Sequence, residues 1–445
     1  MFALATPAGR SAVAIIRISG PDSLQCLKNL TEKNYFIPRQ ARLLNLKNPQ
    51  TKAIIDQALV LYFAAPASET GEDLVELQCH GAPTVISSLL EILSREPGLR
   101  LAEPGEFTRR AFLNGKIDLT AVEGIADLVA ADTESQRQLA VNQLSGKTAA
   151  KYHHWARSLT QALALSEAMI DFADEEIPQS TYETIDSIIS QVKSEIIHEL
   201  SDQNRGEVIR SGVQLAIMGA TNVGKSSLLN YLCNREAAIV SPIAGTTRDT
   251  IEVTLDIAGF RLVVVDTAGI RQTNDPVELM GIDRSLQRAK NSQLILHVVD
   301  AQSLINGLDG DIPTYGALEL LIVNKIDLCD KSEQKKLAEK IAALNAIAIS
   351  LKNDQNLDGL WHWIEKTLQD HLGFAASEPP LITRQRHRLM IEQALARLQA
   401  IEPTMAQEIK AEELRHAVKG LGRVTGKVAV DDLLDIIFKE FCLGK

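Results

Sequence analysis

The chain has 445 residues, 45% of them apolar and 23% charged, shares ordinary for globular material and long enough for two to four domains with sizeable cores. Its net charge of −11 excludes a general basic coat for nucleic acid, although a local patch would be enough to hold one. The five cysteines (Cys26, Cys79, Cys233, Cys329, Cys442) are scattered, which argues against a disulfide framework or a zinc site and suits a reducing cytoplasm; no apolar run reaches the roughly 18 residues needed to span a membrane.

In chain order, residues 1–113 alternate β-like and helical runs and predict an α+β domain. Residues 12–18, 58–63 and 74–79 read as strands, and 84–94 as a helix. With Thr6-Pro7 so near Met1, a short first strand is expected. Polar clusters at 6–10, 70–73 and 104–110 exceed what a pure scaffold needs. Residues 114–210 turn helical: 118–144, 152–172 and 184–200 carry 3.6-residue periodicity, the last with Ile185, Ile188 and Ile189 on one face. The acidic run 171–176 reads as a solvated helix end, His153-His154 as an exposed pair, and 201–212 as a polar linker. Residues 211–373 alternate strands (213–218, the hairpin 251–257 and 260–265, then 294–299, 320–323 and 346–349) with helices. That pattern predicts a doubly wound parallel sheet with its ligand at the strand C-termini. Residues 374–445 return to helix at 381–398, 414–421 and 431–441. The short third element cannot bury its faces alone, so these helices are expected to pack on those of 114–210, making 211–373 an insertion. Arg384, Arg386, His387 and Arg388 form a basic cluster, readable as a phosphate contact or as a solvated helix face.

The stretch Gly219-Ala220-Thr221-Asn222-Val223-Gly224-Lys225-Ser226 joins a buried strand to a helix with the spacing G-x-x-x-x-G-K-S of a phosphate-binding loop. Glycines let backbone N–H groups close on phosphate oxygens, and the helix N-terminus adds partial positive charge. Lys225 offers a point charge and Ser226 a hydroxyl for Mg²⁺. Asp266-Thr267-Ala268-Gly269 ends a strand, where Asp266 can hold the metal's water shell. Gly245-Thr246-Thr247-Arg248-Asp249 reads as the first switch, with Thr247 available to Mg²⁺ and the γ-phosphate. Asn324-Lys325-Ile326-Asp327 follows another strand. Its Asp327 carboxylate can accept from guanine's ring N–H and 2-amino group, a donor pair adenine lacks. Ser350-Leu351-Lys352 lies where a second guanine-contacting loop is expected. Four ordered motifs predict a GTPase domain. Ile270 stands where a water-orienting glutamine would follow Asp-Thr-Ala-Gly, so another group must offset transition-state charge.

These motifs, together with Ala5-Thr6-Pro7-Ala8-Gly9-Arg10, Arg17-Ile18-Ser19-Gly20, Thr70-Gly71-Glu72-Asp73, Glu76-Leu77-Gln78, the stretch from Pro104-Gly105-Glu106-Phe107-Thr108 to Lys116, and the terminal Cys442-Leu443-Gly444-Lys445, resemble the MnmE (TrmE) family across the whole chain. The resemblance implies a tetrahydrofolate-binding, dimerising N-terminal domain and a helical domain interrupted by the GTPase. It implies delivery of a folate one-carbon unit (from 5,10-methylene- or 5-formyl-tetrahydrofolate) to C5 of a tRNA wobble uridine, with an FAD-dependent partner, MnmG (GidA). Implied GTP contacts are Asn222, Val223, Gly224, Lys225, Ser226, Ser227, Ser241, Pro242, Ile243, Ala244, Gly245, Thr246, Thr247, Asp266, Thr267, Ala268, Gly269, Asn324, Lys325, Asp327, Ser350, Leu351 and Lys352. Ser226 and Thr247 are the implied Mg²⁺ ligands; Asn222, Ser241, Ile243 and Thr246 would hold a K⁺ that stands in for an arginine finger when the GTPase domains dimerise. Glu278 matches the glutamate that positions water, Cys442 a reactive cysteine, and Arg17, Glu76, Lys116 and Lys445 the folate contacts. Leu351 departs from the family's usual alanine. A ribosome-docking assembly GTPase would share the GTPase motifs without needing Cys442 or folate; a folate aminomethyltransferase working alone would need no FAD partner.

Overall fold

The computed structural model describes residues 1–172, 178–202, 204–235, 238–239, 253–265, 292–307, 318–373, 379–402 and 404–428, with Ile437, Phe441 and Gly444. They form two compact units, one of residues 1–129, 142–194 and 390–445, the other of 130–141 and 195–389.

In the first unit, β1 (Phe2–Leu4), β2 (Ser11–Ser19), β3 (Arg42–Lys47), β4 (Ile54–Phe63) and β5 (Leu74–Gly81) make an antiparallel sheet ordered β1-β2-β5-β4-β3. Alternation explains it: Ile16, Ile18, Val60 and Leu77 are buried at 1% exposure or less, and the helix Pro83–Arg95 adds Leu89 and Leu93 to the same core. The first strand is three residues long. Three elements escape periodicity: β3, where the adjacent Leu43-Leu44 pair breaks alternation, and the helices Ser23–Thr31 and Glu106–Leu113. The last arises from one of the polar clusters, and the structure shows what those clusters do. Glu106 receives both Arg100 (2.6 Å) and Arg110 (2.8 Å), Arg110 reaches Glu72 (2.7 Å), and Glu72 accepts from Ser19 (3.0 Å). Burial opposes ionisation of Glu106, but bonds from Arg100, the Glu103 N–H and Arg110 outweigh it and hold its pKa at about 2. The clusters at 70–73 and 104–110 thus pair with each other.

The helical part of this unit joins distant segments. Lys147–Asp171 packs along Gln407–Val424, burying Tyr152 and Trp155 edge to face at 5.8 Å between centroids. Arg415 and Glu167, 248 positions apart, pair at 2.8 Å, and the buried Lys410 reaches Asp186 at 3.2 Å. Helices on either side of residues 211–373 therefore share one core. The expected helix over 118–144 is two, Leu119–Val129 and Glu134–Leu144, and the expected element 431–441 lies outside the described residues apart from Ile437 and Phe441.

In the second unit, β6 (Val213–Met218), β7 (Ala238–Ile239), β8 (Val253–Ile257), β9 (Phe260–Val265), β10 (Leu294–Asp300), β11 (Leu318–Asn324) and β12 (Ile347–Ala348) form a sheet ordered β12-β11-β10-β6-β9-β8-β7. The five from β12 to β9 are parallel, and β8 and β7 turn antiparallel at the edge. Central strands read as unbroken apolar runs because both faces are covered. Helices Lys225–Arg235, Lys331–Leu344 and Leu357–Leu372 follow β6, β11 and β12; the second begins with an Asp330–Glu333 capping box. Two expectations change here. Residues 201–212 hold a helix, Arg205–Ser211, whose Ile209 is buried in the core. The basic cluster is no solvated face: His387 is fully buried, and Arg388 pairs with Asp202 (2.8 Å) and Glu207 (2.9 Å).

Candidate active site

The loops after β6 and β11 meet at the C-terminal end of the parallel strands, where open α/β sheets bind ligands. Gly219 leaves β6 with φ of +146°, and a Cβ there would lie 2.1 Å from the Val298 carbonyl oxygen of β10. At Gly224, φ is +108° and a Cβ would lie 2.2 Å from the Asn324 amide nitrogen. Only glycine permits either approach. The helix Lys225–Arg235 begins at once, and the Lys225 ammonium is held by the Gly219 (2.8 Å) and Ala220 (2.7 Å) carbonyls. A bound phosphate would meet a charge already drawn onto the loop.

Asn324, 3% exposed, links three segments. Its amide nitrogen donates to the Val223 carbonyl (2.8 Å) and its oxygen accepts from the Leu351 N–H (3.3 Å). The Ser350 hydroxyl, fully buried, donates to Asp327 Oδ1 at 2.6 Å and fixes that carboxylate at the wall of the cavity. The cavity holds about 880 Å³, within the roughly 300–1,000 Å³ of small-molecule sites.

Asn222, Gly224, Lys225, Ser226, Ser227, Asn324, Lys325, Asp327, Leu351 and Lys352 line it as expected. Val223 and Ser350 lie buried behind it and shape it rather than face it. Thr221 and Leu328 also line it and were missed. Thr221 occupies one of the variable motif positions; Leu328, 57% exposed directly after Asp327, offers a base an apolar surface that an N-K-x-D pattern does not specify. Ser241, Pro242, Ile243, Ala244, Gly245, Thr246, Thr247, Asp266, Thr267, Ala268, Gly269 and Glu278 lie outside the described residues, as do Cys442 and Lys445. Among the described residues no group of three or more His, Cys, Asp or Glu can hold a metal. The Ser226 hydroxyl is exposed at the helix start, a position from which it could ligate Mg²⁺.

A second polar site sits on the antiparallel sheet. Arg17 of β2 and Glu76 of β5 are register partners; Arg17 Nε donates to Glu76 Oε1 at 2.9 Å, and its Nη1 lies 3.0 Å from Glu69 Oε2. Lys116 is bound to the Pro66 carbonyl at 2.9 Å, so the 64–73 loop touches all three residues' surroundings. Gly444 lies against the backbone of Leu4 and Ala5, in β1 and just beyond it, and β1 pairs with β2 opposite Arg17.

A largely parallel sheet with a phosphate loop, and an Asn-Lys-Ile-Asp loop whose Asp327 lines the same cavity, defines a P-loop GTPase. Residues 119–442 match the family profile described as the MnmE helical domain, and residues 1–116 that of the GTP-binding protein TrmE N-terminus. The whole chain is 44% identical, over 451 residues and 99% of the relative, to the tRNA modification GTPase MnmE of Parvibaculum lavamentivorans. It is 42% identical over 447 residues to the protein of that name in Rickettsia rickettsii, covering 99% of it, and 41% identical over 466 residues to the mitochondrial 5-taurinomethyluridine-[tRNA] synthase subunit GTPB3 of Danio rerio, covering 93%. The chain belongs to the MnmE family of tRNA modification GTPases.

Proposed function

We propose that this protein is the GTP-hydrolysing subunit of a complex that adds an aminomethyl or carboxymethylaminomethyl group to C5 of the wobble uridine of certain tRNAs. It takes the carbon from a tetrahydrofolate derivative and works as a cytoplasmic homodimer with an FAD-dependent partner, MnmG (GidA). The observation that carries this reading is that family likeness runs the full length, so the nucleotide cavity and the Arg17–Glu76 site belong to one machine. No described helix is long and apolar enough to cross a membrane. Mass spectrometry of wobble nucleosides from a strain lacking the protein tests the reading. The modified uridine is expected to disappear and to return with the wild-type gene but not with Cys442→Ser, which should still hydrolyse GTP. Unmodified levels equal to wild type in the deletion strain would favour the assembly-factor reading instead.

The nucleotide chemistry follows from the residues in hand. Asp327 and the loop behind it select guanine, Lys225 and the loop N–H groups hold the phosphates, and Glu278 positions the attacking water. Mg²⁺ and K⁺, when bound, offset negative charge as the γ-phosphate departs. Asn222, exposed in the loop with φ of +63°, is the described part of the K⁺ set, with Ser241, Ile243 and Thr246. Hydrolysis is therefore expected to be severalfold faster in KCl than in NaCl at equal ionic strength; equal rates would remove K⁺.

At the second site, Glu76 supplies the carboxylate a pterin's N–H edge requires, steadied by Arg17. Glu76→Gln is expected to weaken binding of 5-formyl-tetrahydrofolate by roughly 10- to 100-fold in calorimetry, since a charge-assisted hydrogen bond contributes about 1.5–3 kcal/mol. Unchanged affinity would move the folate elsewhere.

A further inference from the structure

We propose that the groove between the helices Gln385–Ala400 and Gln407–Val424 is a contact for the sugar-phosphate backbone of tRNA. The proposal rests on the tRNA-modifying role above and names where that substrate is gripped. Arg388 is engaged internally, and a separate cluster of cations lies here. Arg397 from the first helix and His416, Lys419 and Arg423 from the second line one groove of about 460 Å³. Positions 416, 419 and 423 share a face of their helix, and Lys419 and Arg423 stand about 6 Å apart along its axis. The floor is small: a Cβ at Gly420 would lie only 3.5 Å from the Met390 carbonyl oxygen and 3.7 Å from Ala394, so the helices cross closely and the cationic side chains stand above them.

The carboxylates nearby neutralise part of this charge. Glu413 lies 3.5 Å from Arg397, and Glu412 lies 3.0 Å from the His416 ring while also engaging Arg415, which turns to Glu167. Lys419 and Arg423 are exposed and form no ion pair among the described residues. In a chain of net charge −11, a polyanion gains most where exposed cations such as Lys419 and Arg423 stand together. No Phe, Tyr or Trp lines the groove, so the lining is dominated by cations suited to phosphates. It is built to take phosphates without reading sequence, a positioning contact rather than a specifying one.

The test is fluorescence anisotropy of a labelled tRNA transcript with the full-length protein across a KCl series. Lys419→Ala/Arg423→Ala is compared with Lys335→Ala/Lys336→Ala, the same charge change on exposed positions of another helix. The groove variant is expected to bind roughly 10- to 100-fold more weakly, with a salt slope shallower by about two, because each lost phosphate contact removes about one released counterion. The control should match wild type, and GTP hydrolysis should be unchanged in both. Wild-type affinity and slope in the groove variant, or equal losses in both variants, would overturn the proposal. So would intact tRNA binding combined with loss of an acidic protein partner. If wobble nucleosides vanish in the deletion strain while the groove variant binds tRNA normally, the groove assignment alone falls; if they are normal in the deletion strain, the functional reading falls.

Discussion

Asp327→Asn is expected to weaken GTP binding on the order of 100- to 1,000-fold, and the loss should be recovered with xanthosine triphosphate. The direction follows from Ser350. Its buried hydroxyl donates to Asp327 Oδ1 at 2.6 Å, and in the variant it would favour the amide oxygen at that position. The amide NH₂ then faces the base. Against guanine, two donors meet donors, and two charge-assisted hydrogen bonds of about 1.5–3 kcal/mol each are lost. Xanthine carries a carbonyl where guanine carries its amino group, so the same NH₂ finds an acceptor. Titration of both nucleotides by fluorescence decides it: unchanged GTP affinity would remove Asp327 from base recognition, and weak binding of both nucleotides would mean that the loop itself had collapsed.

The other large effect is expected from Gly224→Ala. A single methyl would sit 2.2 Å from the Asn324 amide at a backbone φ of +108°, so both the loop and the asparagine must move. Strain of this kind costs roughly 1–3 kcal/mol, a modest fall in Tm. The effect on function should far exceed it, because Asn324 is displaced from Val223 and Leu351 together. Nucleotide affinity is expected to fall by about three orders of magnitude or more, equivalent to about 4 kcal/mol at 1.4 kcal/mol per decade. Gly307→Ala separates the two terms: there φ is +91° but nothing lies within 4 Å of a built Cβ. It should lower Tm without touching affinity. Gly224→Ala binding GDP within threefold of wild type would refute the role given to that contact.

What could be read from the residues alone follows how local each device is. A phosphate loop is a contiguous run whose spacing is itself the geometry, so 219–226 and 324–327 were legible at once. Strands such as 213–218 were legible because burial on both faces writes an unbroken apolar run. Partners set by the fold were not. The cluster at 384–388 reads as a solvated face until Asp202 and Glu207, 186 and 181 positions from Arg388, close on it. The pairing of the polar stretches 70–73 and 104–110 through Arg110 and Glu72, 38 positions apart, was equally illegible. Ser350 was placed as a base contact; its burial and its bond to Asp327 turn it into the residue that aims one. The Lys419–Arg423 groove had no signature, because it needs Arg397 from a separate helix to become a surface.

Asn324 also limits how this site can diversify. Its single amide is shared by the phosphate loop, at Val223, and the base loop, at Leu351. Both groups it holds are backbone, so side chains on either loop can change while Asn324 keeps the loops joined, whereas losing the asparagine itself would leave a buried carbonyl and N–H without a counterpart. Residue 351 tolerates a change of side chain because its contact with Asn324 runs through its backbone N–H.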